Sequence, residues 1–381
     1  MKKVLTATFL SISYFILFAQ PIPRQSIEDS VLGWMKLYNF KGAKAGLKVD
    51  EKTYSVAQLS ICDSLVNWMQ ASYIPKGGLG DVKRVVAEKL GLYNKNDAAL
   101  PQCYGANANT YSTLKYNANG KKVLLTTDGI QWSIMANATV GIPADAICTP
   151  IQYYFTLPSL EQKFGDADPQ VYIMATHPNT KKYPAHVRRN SNGMFDEALL
   201  LYPGNSFPFI KISKSEYLDQ LAGAIERKYA LEKEEAVEKW YTDATRATAR
   251  KYADDRYQKR VEILKNNREK YKNTLNKIAE IFTSQPDILL ENYPDVFEGN
   301  GGESLKLPVY KIDPAIAARC KQDMPQWLMS TWTGGVNSPV GKHQHESIIN
   351  NFNFDFVYNF FFYPQKVKGQ TYRPLRSPSL N

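Results

Sequence analysis

Between residues 224 and 285 the chain contains neither glycine nor proline. That absence constrains the fold more than any other feature, because a long segment without breakers and with helical periodicity has few structures open to it. Tyr217, Leu218, Leu221, Ile225, Tyr229, Val237, Trp240, Tyr241, Tyr252, Val261, Leu264, Tyr271, Leu275, Ile278 and Phe282 supply the periodicity. One unbroken helix of about 70 residues would reach roughly 100 Å at 1.5 Å per residue. Charge favours a fold-back instead. Residues 214–243 hold five Lys/Arg and eight Asp/Glu, whereas residues 246–277 hold eleven and four. An acidic arm followed by a basic arm attracts itself as a helical hairpin. Residues 242–248, weak in helix propensity, are the expected turn. Ser213 and Glu216 form the expected capping box at its start.

The flanking regions read differently. Residues 55–70 form an amphipathic helix with a Ser55/Gln58 capping box, and residues 26–38 a shorter one. Asn119-Gly120 and Asp128-Gly129 mark hairpin turns, with strands at 123–127 and 130–134. Further strands are expected at 152–157, 171–176, 198–202, 306–312 and 326–333. The aromatic run at 353–363 is expected to be a buried strand. The tail from Lys366 is basic and irregular. The fold class is α+β, with short N-terminal helices, an antiparallel sheet, the long helical hairpin at 213–283 and a C-terminal β segment. Four regions follow: 1–19, 20–212, 213–283 and 284–381, the last packing back on the second.

Residues 1–19 have a basic start, an apolar centre and a small-residue end, the order of a secretory signal peptide. The expected location is outside the cytoplasm: periplasmic, cell-surface or secreted. No transmembrane span is expected after signal removal. The formal charge is +10, or +8 without Lys2 and Lys3. A basic exported protein meets an envelope protein or an anionic glycan more readily than nucleic acid. Four cysteines, Cys62, Cys103, Cys148 and Cys320, permit two disulfides. Position favours Cys103 with Cys148 and Cys62 with Cys320; four buried thiols are the alternative.

The stretch Lys76-Gly77-Gly78-Leu79-Gly80-Asp81-Val82 resembles the nucleotide-sugar-binding loop of bacterial glycogen and starch synthases. That resemblance implies backbone N–H groups cradling a pyrophosphate. It covers seven residues, the lysine is shifted by one, and no βαβ alternation follows. The stretch therefore reads as a turn into a helix over 81–90, capped by Asp81.

Catalytic signals are sparse. His343-Gln-His345-Glu346 could share a metal if the segment were a strand, where residues two apart face one side. His343, His345 and Glu346 are thus the candidate set for a metal-assisted hydrolase of an extracellular polymer. Asp166 and Asp168 read as a polar turn, and Gly302-Glu-Ser304 has no assignable partner. No cofactor is expected. On the basic arm, Tyr252, Arg256, Tyr257 and Arg260 are the candidate binding residues. The favoured reading is a non-catalytic binding protein, with the hydrolase second.

Overall fold

The computed structural model describes residues 33–35, 46–49, 52–86, 101–116, 119–125, 129–138, 142–144, 147–149, 152–157, 176–189, 195–204, 206–236, 242–282, 295–298, 306–334 and 338–378. The expected signal segment, the strand at 171–175, Asp128, Asp166, Asp168 and residues 302–304 lie outside them. The fold is α+β. Six strands form one antiparallel sheet: β1 (Leu79–Val86), β2 (Tyr104–Tyr111), β3 (Gly129–Ala136), β4 (Ala185–Arg189), β5 (Phe195–Leu201) and β6 (Leu328–Gly334). Their spatial order is β4-β5-β6-β3-β2-β1. A strand from the last quarter of the chain thus lies between β5 and β3, both far earlier in sequence.

Both faces of this sheet are buried. Alternation decides which side each residue serves. Leu199, Leu201 and Leu328 face a core shared with helices α1 (Val56–Ser72), α5 (Pro339–Asn351) and α6 (Phe354–Phe362). Ala198, Leu200 and Met329 face the opposite core. That second core is closed by a smaller sheet, in which Lys306–Ile312 pairs with Phe209–Lys211, Tyr154–Thr156 and Glu280–Phe282. Helices α2 (Lys214–Glu235) and α3 (Asp243–Lys270) pack into it through Tyr217, Leu218, Leu221, Ile263 and Leu264. Helix α4 (Pro314–Arg319) adds Ile316.

The α1 capping box forms as written in the sequence: Ser55 Oγ accepts from Gln58 N, and Gln58 Oε1 accepts from Ser55 N, each at 3.1 Å. At Ser213 only half of a box forms. Ser213 Oγ accepts from Glu216 N at 3.1 Å, while the Glu216 carboxylate pairs with Lys311 Nζ at 2.6 Å. Helices α2 and α3 run antiparallel, since Asp219 meets Arg268 and Lys233 meets Asp254. The expected turn at 242–248 is corrected. Thr242 caps α3 and Asp243 onward is helical, with the Thr245 and Thr248 hydroxyls bonded to carbonyls of the preceding turn.

Four further expectations are overturned. Residues 79–86 form a strand, not a helix. Their eight-residue pairing with β2 outweighs the local cap signal at Asp81, and Arg84 is held by Asp63 of α1. Gly80 is there for close approach: a Cβ would lie 2.5 Å from Pro75 and Trp34. Gly80 N donates to Gly33 O at 3.0 Å, so it is not open to a phosphate. Gly33–Met35, expected as helix, is an extended bridge to this same glycine. The Asn119-Gly120 turn closes a small hairpin, 114–116 with 122–124, with Gly120 at φ +68°. However, β3 pairs with β2 and β6 rather than continuing that hairpin.

The aromatic run is helix α6, not a strand. Asn353 Oδ1 caps it by accepting from Phe356 N at 2.9 Å. With seven aromatics in the eleven positions 353–363, periods of 2 and 3.6 are both satisfied. The cap and the sheet underneath select the helix, burying Phe354, Val357 and Phe361.

Candidate functional site

The histidine set does not assemble. His343, His345 and Glu346 lie on α5, where positions two apart point in nearly opposite directions. His343 Nε2 is 2.9 Å from Ile74 O, beside the Tyr73 ring. His345 is 1% exposed, and its Nδ1 accepts from Trp332 Nε1 at 3.1 Å. Glu346 is exposed, 3.9 Å from Lys342. His177 lies near Asn350 instead, and among the described residues no three His, Cys, Asp or Glu cluster for a metal. The expectation of a shared site rested on a strand, and the helix removes it.

The four cysteines are buried thiols, and the Cys103–Cys148 and Cys62–Cys320 pairings are not formed. Each sulfur donates to a backbone carbonyl: Cys103 to Asn137 O, Cys148 to Tyr154 O, Cys62 to Gln58 O and Cys320 to Ile316 O. Burial, with Asp63 adding for the first, pushes Cys62 and Cys320 up to about 12. They remain protonated and unreactive at neutral pH.

Part of the basic arm of the hairpin is paired internally, while Arg250, Lys251 and Lys265 are exposed and make no ion pair among the described residues. Arg260, 3% exposed, makes two bonds to the Glu232 carboxylate at 3.0 and 3.1 Å. Arg256 reaches the same carboxylate at 3.4 Å. Burial alone would raise the Glu232 carboxyl, but the two guanidinium groups hold it below the usual range. Tyr257 stacks on Tyr229 at 4.2 Å and donates to Glu226 at 2.6 Å. Tyr252 alone of the four candidates is well exposed, at 59%. It lines a cavity of about 430 Å³ with Glu232, Glu235, Thr245, Thr248 and Arg256, in which opposite charges offset one another.

A different cavity has unlike chemistry. It occupies about 280 Å³ beside the turn that leads into β4, the edge strand of the main sheet. The turn before β4 contributes Lys182, Tyr183 and Pro184. The end of β5 contributes Leu200, Tyr202 and Gly204. Helix α6 and the turn after it close the site with Tyr358, Asn359 and Lys366. The backbone is fixed by Leu200 N donating to Pro184 O at 3.0 Å. The rings form a continuous set: Tyr183 and Tyr358 centroids are 5.6 Å apart, and Tyr358 and Tyr363 5.5 Å.

Its polar groups are tied to one another. Tyr183 OH donates to Asp355 Oδ1 at 2.9 Å, and Lys182 pairs with the same carboxylate. Burial raises the Tyr183, Tyr202 and Tyr358 hydroxyls above the usual tyrosine range, with Asp355 adding to the first and Tyr363 to the last. All three are neutral donors at pH 7. Gly204 N donates to the Tyr358 oxygen at 3.4 Å. Lys366 is exposed, stands 4.7 Å above the Tyr363 ring, and makes no ion pair among the described residues.

None of the lining residues is among the candidate site residues that the sequence offers. They come from positions 182–184, 200–204 and 358–366, and only folding brings them together. The one available signal was bulk aromatic content, 12% with 24 Tyr, which does not say where aromatics converge. Comparison with protein-family models, curated proteins and solved structures finds no match to this chain.

Proposed function

We propose that this is an exported, non-catalytic binding protein whose ligand is an anionic glycan. Of the ligand classes open to the sequence, an envelope protein or an anionic glycan, the cavity at the β4 edge favours the second. The observation that carries the reading is the convergence of the partly exposed Tyr202 and Tyr358, backed by the buried Tyr183, with Lys182 and Lys366. Aromatic rings accept the apolar CH face of a sugar while their hydroxyls bond its edges. Lysine supplies compact charge for a carboxylate or sulfate. The opening segment, with its signal-peptide order, supports an exported location, where such polymers occur.

Magnitudes set the expected affinity. Covering roughly 40 Å² of CH surface contributes about 1 kcal/mol per ring. A charge-assisted hydrogen bond adds about 2 kcal/mol. Two rings and one lysine give about 4 kcal/mol before the cost of immobilising the sugar, so a single residue binds no tighter than about 1 mM. Titration calorimetry with galacturonic acid and with galactose tests this. The acid binds weakly and the neutral sugar more weakly still. Equal binding of both, or of neither, contradicts the proposal.

A further inference from the structure

The last segment of the chain runs over the surface as a strap that is fastened rather than loose. After a turn at Pro364–Val367, Val367 is buried and Gly369 turns the chain at φ +77°. Tyr372 is the main fastener. Its ring stacks on Trp68 with centroids 5.3 Å apart. Its hydroxyl lies 2.6 Å from Ser72 Oγ and accepts from Asn353 N at 3.1 Å. Burial pushes that phenol up to about 12, so it stays protonated. Beyond it, Asn353 Nδ2 donates to Arg373 O at 3.2 Å, and Leu375 N to Asn351 O at 2.8 Å.

This fixed backbone displays Lys366, Lys368, Arg373 and Arg376, all exposed. None makes an ion pair among the described residues. The sequence from Pro364 to its last residue holds no Asp or Glu. Lys366 belongs to both features: it lines the tyrosine cavity and begins the strap. Cations that begin at the lining of the cavity and continue along a fastened backbone fit a ligand longer than the cavity.

We infer that the strap is a second binding surface, and that the ligand is an acidic polysaccharide chain with one residue seated in the cavity and its neighbours laid along Lys368, Arg373 and Arg376. This rests on the glycan reading of the cavity and deepens it from a charged sugar to a polyanionic chain. Successive weak contacts on one chain multiply through effective concentration, and exposed charge contacts weaken as salt screens them.

The test uses the full chain and galacturonate from monomer to octamer, with the variant Lys368→Ala/Arg373→Ala/Arg376→Ala. Wild-type affinity is expected to rise about tenfold or more from monomer to octamer. The triple variant keeps the wild-type melting temperature and monomer affinity but loses most of that rise. An octamer bound no better than the monomer, or a triple variant that keeps the full rise, overturns the strap and leaves the cavity standing. No binding of monomer or octamer overturns both. A DNA oligonucleotide or phosphatidylglycerol vesicles bound as tightly as the octamer would show a surface that reads charge alone, and would overturn the polysaccharide assignment.

Discussion

The second arm of the α2–α3 hairpin and the C-terminal strap are both rich in basic residues, and the fold surrounds their charge differently. On the hairpin, Arg256 and Arg260 converge on Glu232, Arg268 on Asp219 and Lys233 on Asp254. On the strap, Lys366, Lys368, Arg373 and Arg376 face solvent from a backbone pinned by Tyr372. The hairpin has eleven basic residues in its second arm, yet an acidic first arm lies against it. The strap has four and nothing acidic beside them in sequence. Charge available to a partner is therefore set by what the fold places opposite each cation, not by how many cations a segment carries.

The sharpest way to break this comparison is at Glu232. Glu232→Gln leaves Arg260 buried without its counter-charge and is expected to lower unfolding free energy by about 3 kcal/mol in urea denaturation. Glu232→Met/Arg260→Met should recover most of that loss, because the desolvation cost disappears with the pair. A loss under about 0.5 kcal/mol, the scale of a surface pair, would show that the hairpin charges are not committed internally. The pair also carries a pH signature. Because the folded Glu232 carboxyl is held low, its contribution is full above the ordinary glutamate range, about pH 4–5, and is lost as pH falls through the folded value. The acid limb of the stability curve should be shallower in Glu232→Gln.

Smaller effects are expected at the cavity. Lys366→Ala should weaken galacturonate binding about tenfold, or about 1.4 kcal/mol, with stability unchanged since the side chain is exposed. Tyr358→Phe should weaken it by less, because the ring stays and only the hydroxyl is lost. The smallest effect belongs to the hairpin: Tyr252→Ala should leave galacturonate affinity within about twofold of wild type. A larger loss there than at Lys366 would move the binding surface to the hairpin tip.

How much of this was legible beforehand follows from how local each signal is. The α1 capping box needs only Ser55 and Gln58, three residues apart, and it formed as read. The helical character of α2 and α3 follows from an unbroken periodic run, and the strand at Lys306–Ile312 from its own pattern. The errors fall where a distant partner decides. Leu79–Val86 carries a helix-start signal, but its eight-residue register with Tyr104–Tyr111 makes it a strand. Phe354–Phe362 satisfies two periods at once, and packing on Trp68 and the sheet chooses between them. The His343–His345 pair fails to form a site for the same reason, since sharing a metal needs a strand and the segment is helix α5. The cavity was hidden most deeply, because Lys182 and Lys366 are far apart in sequence and meet only at the edge of the finished sheet.

The claim that ligand is held at the sheet edge rather than on the hairpin is tested most directly by photoaffinity labelling with a diazirine-bearing galacturonate oligomer, followed by peptide mapping. Label is expected on the peptides spanning 182–204 and 358–376, and to be displaced by excess unlabelled oligomer. Displaceable label concentrated on 214–270 would contradict the account.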